Sequence, residues 1–257
     1  MEIIISPGEQ QAGELVAQRV VGLLRAKPDA VLGLATGRSQ ERVYAELVRQ
    51  HRDEGLDFSR VTTFNLDEYI GLAPEHPGSF HRYMREHLFG QVNLEPDRTH
   101  VLDGMAADVA AQCTAYEEAI AAAGGIDLQL LGIGRDGHIG FNEPSSSLSS
   151  RTRIKTLTAE TRRDNAGGFD LGGVPRHVLT MGIGTIMDSR ECLLVAFGRH
   201  KAAAVAAAVE GPITASVPAS ILQMHPAAKV FLDDPAAAEL ARADYYRAVY
   251  DDKLDGY

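Results

Sequence analysis

Three short polar clusters carry the side chains suited to acid–base or anion chemistry, and each directly follows an apolar run. The richest is GIGRDGHIGFNEP over residues 132–144, which sets Asp136, His138 and Glu143 on a glycine-rich loop. A carboxylate beside an imidazole fixes its tautomer and raises its basicity. Such a histidine can carry a proton to and from a sugar ring oxygen. The plainer alternative is a loop histidine that caps backbone carbonyls. The stretch also spells G-x-G-x-x-G, but a dinucleotide fingerprint must open a helix, and Gly140 and Pro144 break the continuation. The second cluster is Asn65-Leu66-Asp67-Glu68-Tyr69. A strand end there places a carboxylate at the sheet rim, where it can act as a general base. Asp67 and Glu68 are adjacent, so an extended chain cannot aim both into one pocket. A solvated acidic turn is the alternative. The third cluster is Thr36-Gly37-Arg38-Ser39, whose hydroxyls and amides at a helix N-terminus suit a phosphate. Its alternative is an ordinary turn with Ser39 as N-cap. His76, His81, His87 and His138 form no ligand pattern such as H-E-x-x-H, so no metal site is expected.

The elements that must position these clusters are legible as periodicity. Ile3–Ile5, Val31–Ala35, Val61–Phe64, Ile126–Ile133, Cys192–Phe197 and Lys229–Leu232 read as strands, with further strands at Ile154–Leu157 and Val178–Gly182. Leu15, Val16, Val20, Leu23 and Leu24 recur at helical spacing, as do Val43, Tyr44, Leu47 and Val48. Helices are also expected over His81–Phe89, over Val109–Ile120, after Gly198 and over Ala236–Asp251. This alternation predicts an α/β fold: a doubly wound, mostly parallel sheet, modified Rossmann-like, with helices on both faces. In such sheets ligands sit beyond the carboxyl ends of the strands, which is where all three clusters fall. No linker divides the 257 residues, so one domain over 1–257 is expected. The glycine-rich stretch Asn165–Pro175 reads as part of a mobile lid at about 157–180.

Lys and Arg number 25 against 35 Asp and Glu, a net charge of −10. That balance argues against general nucleic-acid or anionic-membrane binding, but not against one small anion held locally. No apolar run reaches the roughly 20 residues of a bilayer span, and MEIIISPGEQ does not read as a secretory signal. A cytoplasmic location is expected. Cys113 and Cys192 match no zinc spacing or disulfide framework and read as buried apolar residues.

With the clusters in this order, the chain resembles the glucosamine-6-phosphate deaminase (glucosamine/galactosamine-6-phosphate isomerase) family. The resemblance runs from LGLATG to LQMHPAAKVFLDDP, through FNLDEYIGL, HPGSFHRYM, GIGRDGHIGFNEPSSSLSSRTRIKTLT and LTMGIGTIMDS. Related 6-phosphogluconolactonases share the fold and a DGH loop, but continue in a Ser-Leu-Phe-Pro manner where this chain has FNEP. The resemblance implies that glucosamine 6-phosphate and water become fructose 6-phosphate and ammonia, without a cofactor. It implies that His138 assists ring opening within an Asp136–His138–Glu143 relay and that Asp67 moves a proton from C2 to C1. Lys201 would bind the phosphate with Thr36, Gly37, Arg38 and Ser39. Ser146, Arg153 and Lys155 match positions at which some hexameric members bind an activating N-acetylated sugar phosphate. The alternative there is a solvated basic strand, and both monomer and hexamer stay open.

Three departures from the family pattern stand out. TGRSQ replaces TGGTP or TGSTP, Gly167-Gly168-Phe169 lacks the lid arginine, and the C-terminal tail does not align clearly. Arg38, Arg162 or Arg163 is expected to replace the lid arginine. Galactosamine 6-phosphate is the alternative substrate. A lactonase and a non-catalytic sugar-phosphate sensor are the other readings. Asp67, Asp136, His138 and Glu143 favour an enzyme, and the acidic chain shows no helix-turn-helix ahead of Ile3.

Overall fold

The computed structural model describes residues 1–166, 169 and 173–253. Seven strands form a parallel sheet: β1 (Glu2–Ser6), β2 (Val31–Leu34), β3 (Thr62–Asn65), β5 (Thr99–His100), β6 (Leu128–Gly132), β9 (Cys192–Ala196) and β10 (Ala228–Asp233). Their spatial order is β1-β10-β9-β6-β2-β3-β5. The inner strands are apolar on both faces, as a doubly covered sheet requires. Along β9, Leu193 and Val195 join one core while Leu194 and Ala196 join the other. α1 (Glu9–Ala26) and α2 (Arg38–Glu54) cover the first face through Val16, Val20, Val43 and Leu47. α4 (Val109–Ala122), α6 (Ile183–Met187) and α7 (Ala202–Glu210) cover the second through Tyr116, Ile120, Ile186 and Val205. Cys113 and Cys192 are buried free thiols, as expected.

A second, antiparallel sheet of order β4-β8-β7 stands beside the first: β4 (Asp67–Tyr69), β8 (His177–Thr180) and β7 (Arg153–Thr156). The strands read at Ile154–Leu157 and Val178–Gly182 are therefore real but lie outside the parallel sheet. Asp67–Tyr69 was not expected to be a strand at all. Its pairing to β8 joins segments over a hundred residues apart, so no local pattern announces it.

Three helix boundaries differ from the sequence expectation. Over His81–Phe89 the chain forms α3 (Phe80–Met84) and then a π-turn, Arg85–Phe89. The helix expected from Ala236 begins only at α8 (Ala243–Asp251). Asp233 accepts the Ala236 N–H at 2.8 Å and holds the preceding segment in turns. Ser39 does not cap α2. Gly37 does, at φ +115°, so Ser39 lies inside the first turn.

Candidate active site

β2, β6 and β9 are neighbours in the sheet, and their carboxyl ends open onto one rim. The phosphate-type turn lies beyond β2. Gly37 sits in the left-handed region that favours glycine. Its carbonyl accepts from the Tyr83 hydroxyl at 3.0 Å, and the preceding Ala35 carbonyl accepts from the buried Tyr44 hydroxyl at 2.6 Å. The turn is thus held from α2 and α3 together, with Arg38 opening α2 and its first amides facing outward along the helix. Lys201 follows β9 on a short 3-10 turn, Arg199–Lys201. Asp233 fixes that turn by accepting the Gly198 N–H at 2.9 Å. Partial burial pushes the Lys201 ammonium down, and the like charges of Arg135 and Arg38 push the same way.

The loop beyond β6 is shaped by its glycines. His138 lies so close over Gly134 that a Cβ there would collide with the imidazole. Gly137 has φ +85° and backs onto Val217, while its carbonyl accepts the Ala219 N–H at 2.9 Å. His138 Nδ1 stands 2.7 Å from Asp136 Oδ1, although the approach is off-line for a hydrogen bond. Loose alignment of this kind is common before substrate binds. Burial pushes the Asp136 carboxyl up, but the His138 contact outweighs it and leaves the carboxyl below its ordinary value.

Only the first link of the expected Asp136–His138–Glu143 chain is present. Glu143 is buried and accepts from Thr158 N at 3.1 Å and Thr158 Oγ1 at 3.1 Å. Thr158 is the N-cap of α5 (Ala159–Asp164), so Glu143 ties the loop beyond β6 to that helix rather than to the imidazole.

β8 brings Asp67 to this loop. Asp67 pairs with Thr180, whose Oγ1 accepts the Phe141 N–H at 3.0 Å. Gly140, at φ +55°, passes between them: a Cβ there would lie 3.0 Å from Thr180 Oγ1 and 3.7 Å from Asp67 Oδ2. Asp67 is buried, and that burial, with the neighbouring Glu68 charge, pushes its carboxyl up to about 8. Glu68 points elsewhere, as the extended chain requires. It accepts from Tyr69 N, Ser79 Oγ, Phe80 N and His81 N at 2.8–3.1 Å, which fixes the start of α3. Burial pushes the Glu68 carboxyl up, and those donors pull it back only in part. Tyr69 meets Phe169 edge-on with centroids 5.4 Å apart, and the tip of the Phe169 ring lies over Gly78 where a Cβ would collide with it.

Thr36, Gly37, Arg38, Ser39 and Lys201 therefore share one rim with Asp136 and His138, and Asp67 reaches it through β8. Arg162 is committed elsewhere, donating to Val174 O at 3.0 Å. Gly167 and Gly168, part of the expected lid, lie outside the described residues. Among the effector candidates, Arg153 donates to Asn142 Oδ1 at 2.8 Å, and Ser146 is buried with no partner for its hydroxyl among the described residues. Lys155 lies two residues along β7 from Arg153, on the same face. A groove of about 580 Å³ lies to one side, between α4 and β7, lined by Cys113, Glu117, Arg153 and Ile154. Thr180, Asn142 and Gly134 were not singled out from the sequence. Their roles depend on contacts between distant segments, and only the glycine content of the loop hinted at them. Among the described residues no cluster of His, Cys, Asp and Glu has metal-binding geometry, and no helix is long and apolar enough to cross a membrane.

A parallel sheet with acid–base groups and a cationic turn on its carboxyl rim defines a sugar-phosphate-type α/β protein. Residues 8–231 match the family described as glucosamine-6-phosphate isomerases/6-phosphogluconolactonase, and the chain belongs to that family. It is 58% identical over 254 residues to a glucosamine-6-phosphate deaminase of Arthrobacter sp. (strain FB24), covering 98% of each chain. It is 51% identical over 257 residues to one of Streptomyces coelicolor, covering 99% of this chain and 98% of that protein. A solved structure described as a monomeric glucosamine-6-phosphate deaminase superposes with a TM-score of 0.91 at 42% identity, covering 93% of this chain and all of the other. The 6-phosphogluconolactonase of Trypanosoma brucei, at 19% identity, 93% and 98% coverage and a TM-score of 0.74, shares the fold.

Proposed function

We propose that this chain is a glucosamine-6-phosphate deaminase: it isomerises the amino sugar phosphate and releases ammonia, giving fructose 6-phosphate. The observation that carries this reading is the pairing of two acid–base centres on one rim, Asp136–His138 beyond β6 and Asp67 across Thr180. Full-length relatives at 50–58% identity bear the same name. The phosphate anchors at the amides and side chains of Thr36–Ser39 and at Lys201, far enough from C1 and C2 that its binding energy orients the reacting carbons. His138, oriented by Asp136, moves a proton from the anomeric hydroxyl to the ring oxygen and opens the ring. Asp67 then takes the C2 proton and returns it at C1. The resulting imine at C2 adds water and expels ammonia. Entry of the substrate's C2 ammonium beside Asp67 favours the carboxylate form that a base must have.

In the same reading the lid expected at about 157–180 would cover this site; residues 167–168 and 170–172 of it lie outside the described residues, and the Glu143–Thr158 contacts tie its start to the loop beyond β6. Arg153 braces the loop beyond β6 through Asn142, and that contact is the local reason to read Arg153 as structural.

The test is a substrate panel. Glucosamine 6-phosphate should yield ammonia and fructose 6-phosphate in equal amounts. Preferential turnover of galactosamine 6-phosphate, or hydrolysis of phosphogluconolactone without ammonia, would overturn the assignment.

A further inference from the structure

We propose that Arg135 is an additional cation of the phosphate site, and that Asp164 occupies it in the free protein until a phosphate monoester displaces that carboxylate. The proposal rests on the sugar-phosphate reading above and deepens it. Arg38 follows β2, Arg135 follows β6 and Lys201 follows β9, so three adjacent parallel strands each deliver one cation to the same rim. His200 stands beside Lys201 on its turn. Lys201 and His200 both sense Arg38 and Arg135 as like charges and Asp164 as an opposite one. These groups therefore face a common space.

Arg135 Nη1 lies 3.5 Å from Asp164 Oδ1, with side chains 55% and 37% exposed. A single long contact between exposed charges contributes little. A phosphate offers the guanidinium two parallel hydrogen bonds and a higher charge, which is the better match. Asp164 is also the last residue of α5, where a carboxylate opposes the partial negative charge of the helix end. It is tolerated there because Arg135 faces it, so its hold is conditional on that partner. Asp136 does not compete with Asp164 for Arg135, since it is turned to His138.

The experiment measures the Kd of inorganic phosphate by calorimetry, and KM and kcat for glucosamine 6-phosphate, in the intact chain and three variants. Arg135→Ala is expected to weaken phosphate and raise KM about tenfold while kcat stays within about threefold, as the loss of a charged hydrogen-bonding partner implies. Arg135→Lys should recover part of the loss, because it keeps the charge but not the fork. Asp164→Asn should tighten phosphate about two- to threefold, since it frees Arg135 and removes a negative charge from the rim. An unchanged phosphate Kd in Arg135→Ala, or weaker phosphate binding in Asp164→Asn, would overturn the proposal. Should the intact chain bind phosphate in an Arg135-dependent way but leave glucosamine 6-phosphate unconverted, the substrate reading falls and the phosphate site stands.

Discussion

In the proposed reaction the chemistry turns on Asp67, and its environment predicts two pH effects. Burial first, and Glu68 second, raise its carboxyl to about 8. A base must be ionised, so kcat/KM should fall below that pH, by about tenfold per pH unit once well into the limb. A flat profile between pH 6 and 8 would contradict this role. The stability effect has the opposite sense. Between the ordinary carboxylate range and about pH 8 the folded chain keeps a proton that the unfolded chain has released. The stabilising contribution of this group is full below the unfolded pKa and is lost as pH rises through the folded one. Asp67→Asn should therefore stabilise the protein by about 2 kcal/mol or more at pH 9 and by little at pH 4. Paired thermal melts at the two pH values check the sign. Gly134 gives a second residue-scale prediction. A methyl there meets the His138 ring, so Gly134→Ala should lower kcat by about a hundredfold or more while leaving the melting temperature within a few degrees. Wild-type kcat in that variant would mean the imidazole is not needed where it stands.

At the scale of elements, the rim depends on segments that are remote in sequence. Glu68 sits in the middle of β4, paired with Leu179, while its carboxylate holds the first turn of α3, and α3 in turn supplies Tyr83 to the Gly37 carbonyl. Glu68→Ala strips the Tyr69, Phe80 and His81 N–H groups of their carboxylate acceptor, while Ser79 Oγ keeps the Pro74 carbonyl at 3.2 Å. It should cost about 2–4 kcal/mol, since buried donors would lose a charged partner. It should also move the acid limb of kcat/KM to lower pH, because one neighbour that raises Asp67 is gone. Denaturant melts and the pH profile read the two effects separately, and an unmoved limb would sever Glu68 from Asp67.

Six of the seven parallel strands and the main helices were legible in the sequence because burial on both sheet faces leaves continuous apolar runs, and because helix faces repeat; the two-residue edge strand β5, half-buried and polar, was not. The three polar clusters were legible because they follow those runs. β4 was not, since Asp-Glu-Tyr looks like an acidic turn until Thr180 is set opposite it. The cap of α2 was misplaced by two residues because Ser39 has the chemistry of a cap, while Gly37 has the backbone freedom the turn demands. The second link of the expected relay was not found because Thr158 offers Glu143 both a backbone and a hydroxyl donor.

At the scale of the molecule, the net charge of −10 and the cationic rim are not in conflict. The acidic residues Glu191 and Asp127 are engaged by Arg19, Lys229, Lys27 and Arg190 at or just before the amino ends of β9 and β6, opposite the site. The carboxyl ends of β2, β6 and β9 are followed by Arg38, Arg135 and Lys201, a local cationic cluster that suits the anionic sugar of the proposed reaction whatever the sign of the net charge. The most direct test of the two-centre account is ammonia and fructose 6-phosphate release from glucosamine 6-phosphate by the native chain, Asp67→Asn and His138→Ala side by side. The account predicts turnover by the native chain and a loss of about 10²–10⁴-fold in kcat in each variant, the range for a positioned acid–base group. Native-like kcat in either variant, or ammonia release that never yields fructose 6-phosphate, would contradict it.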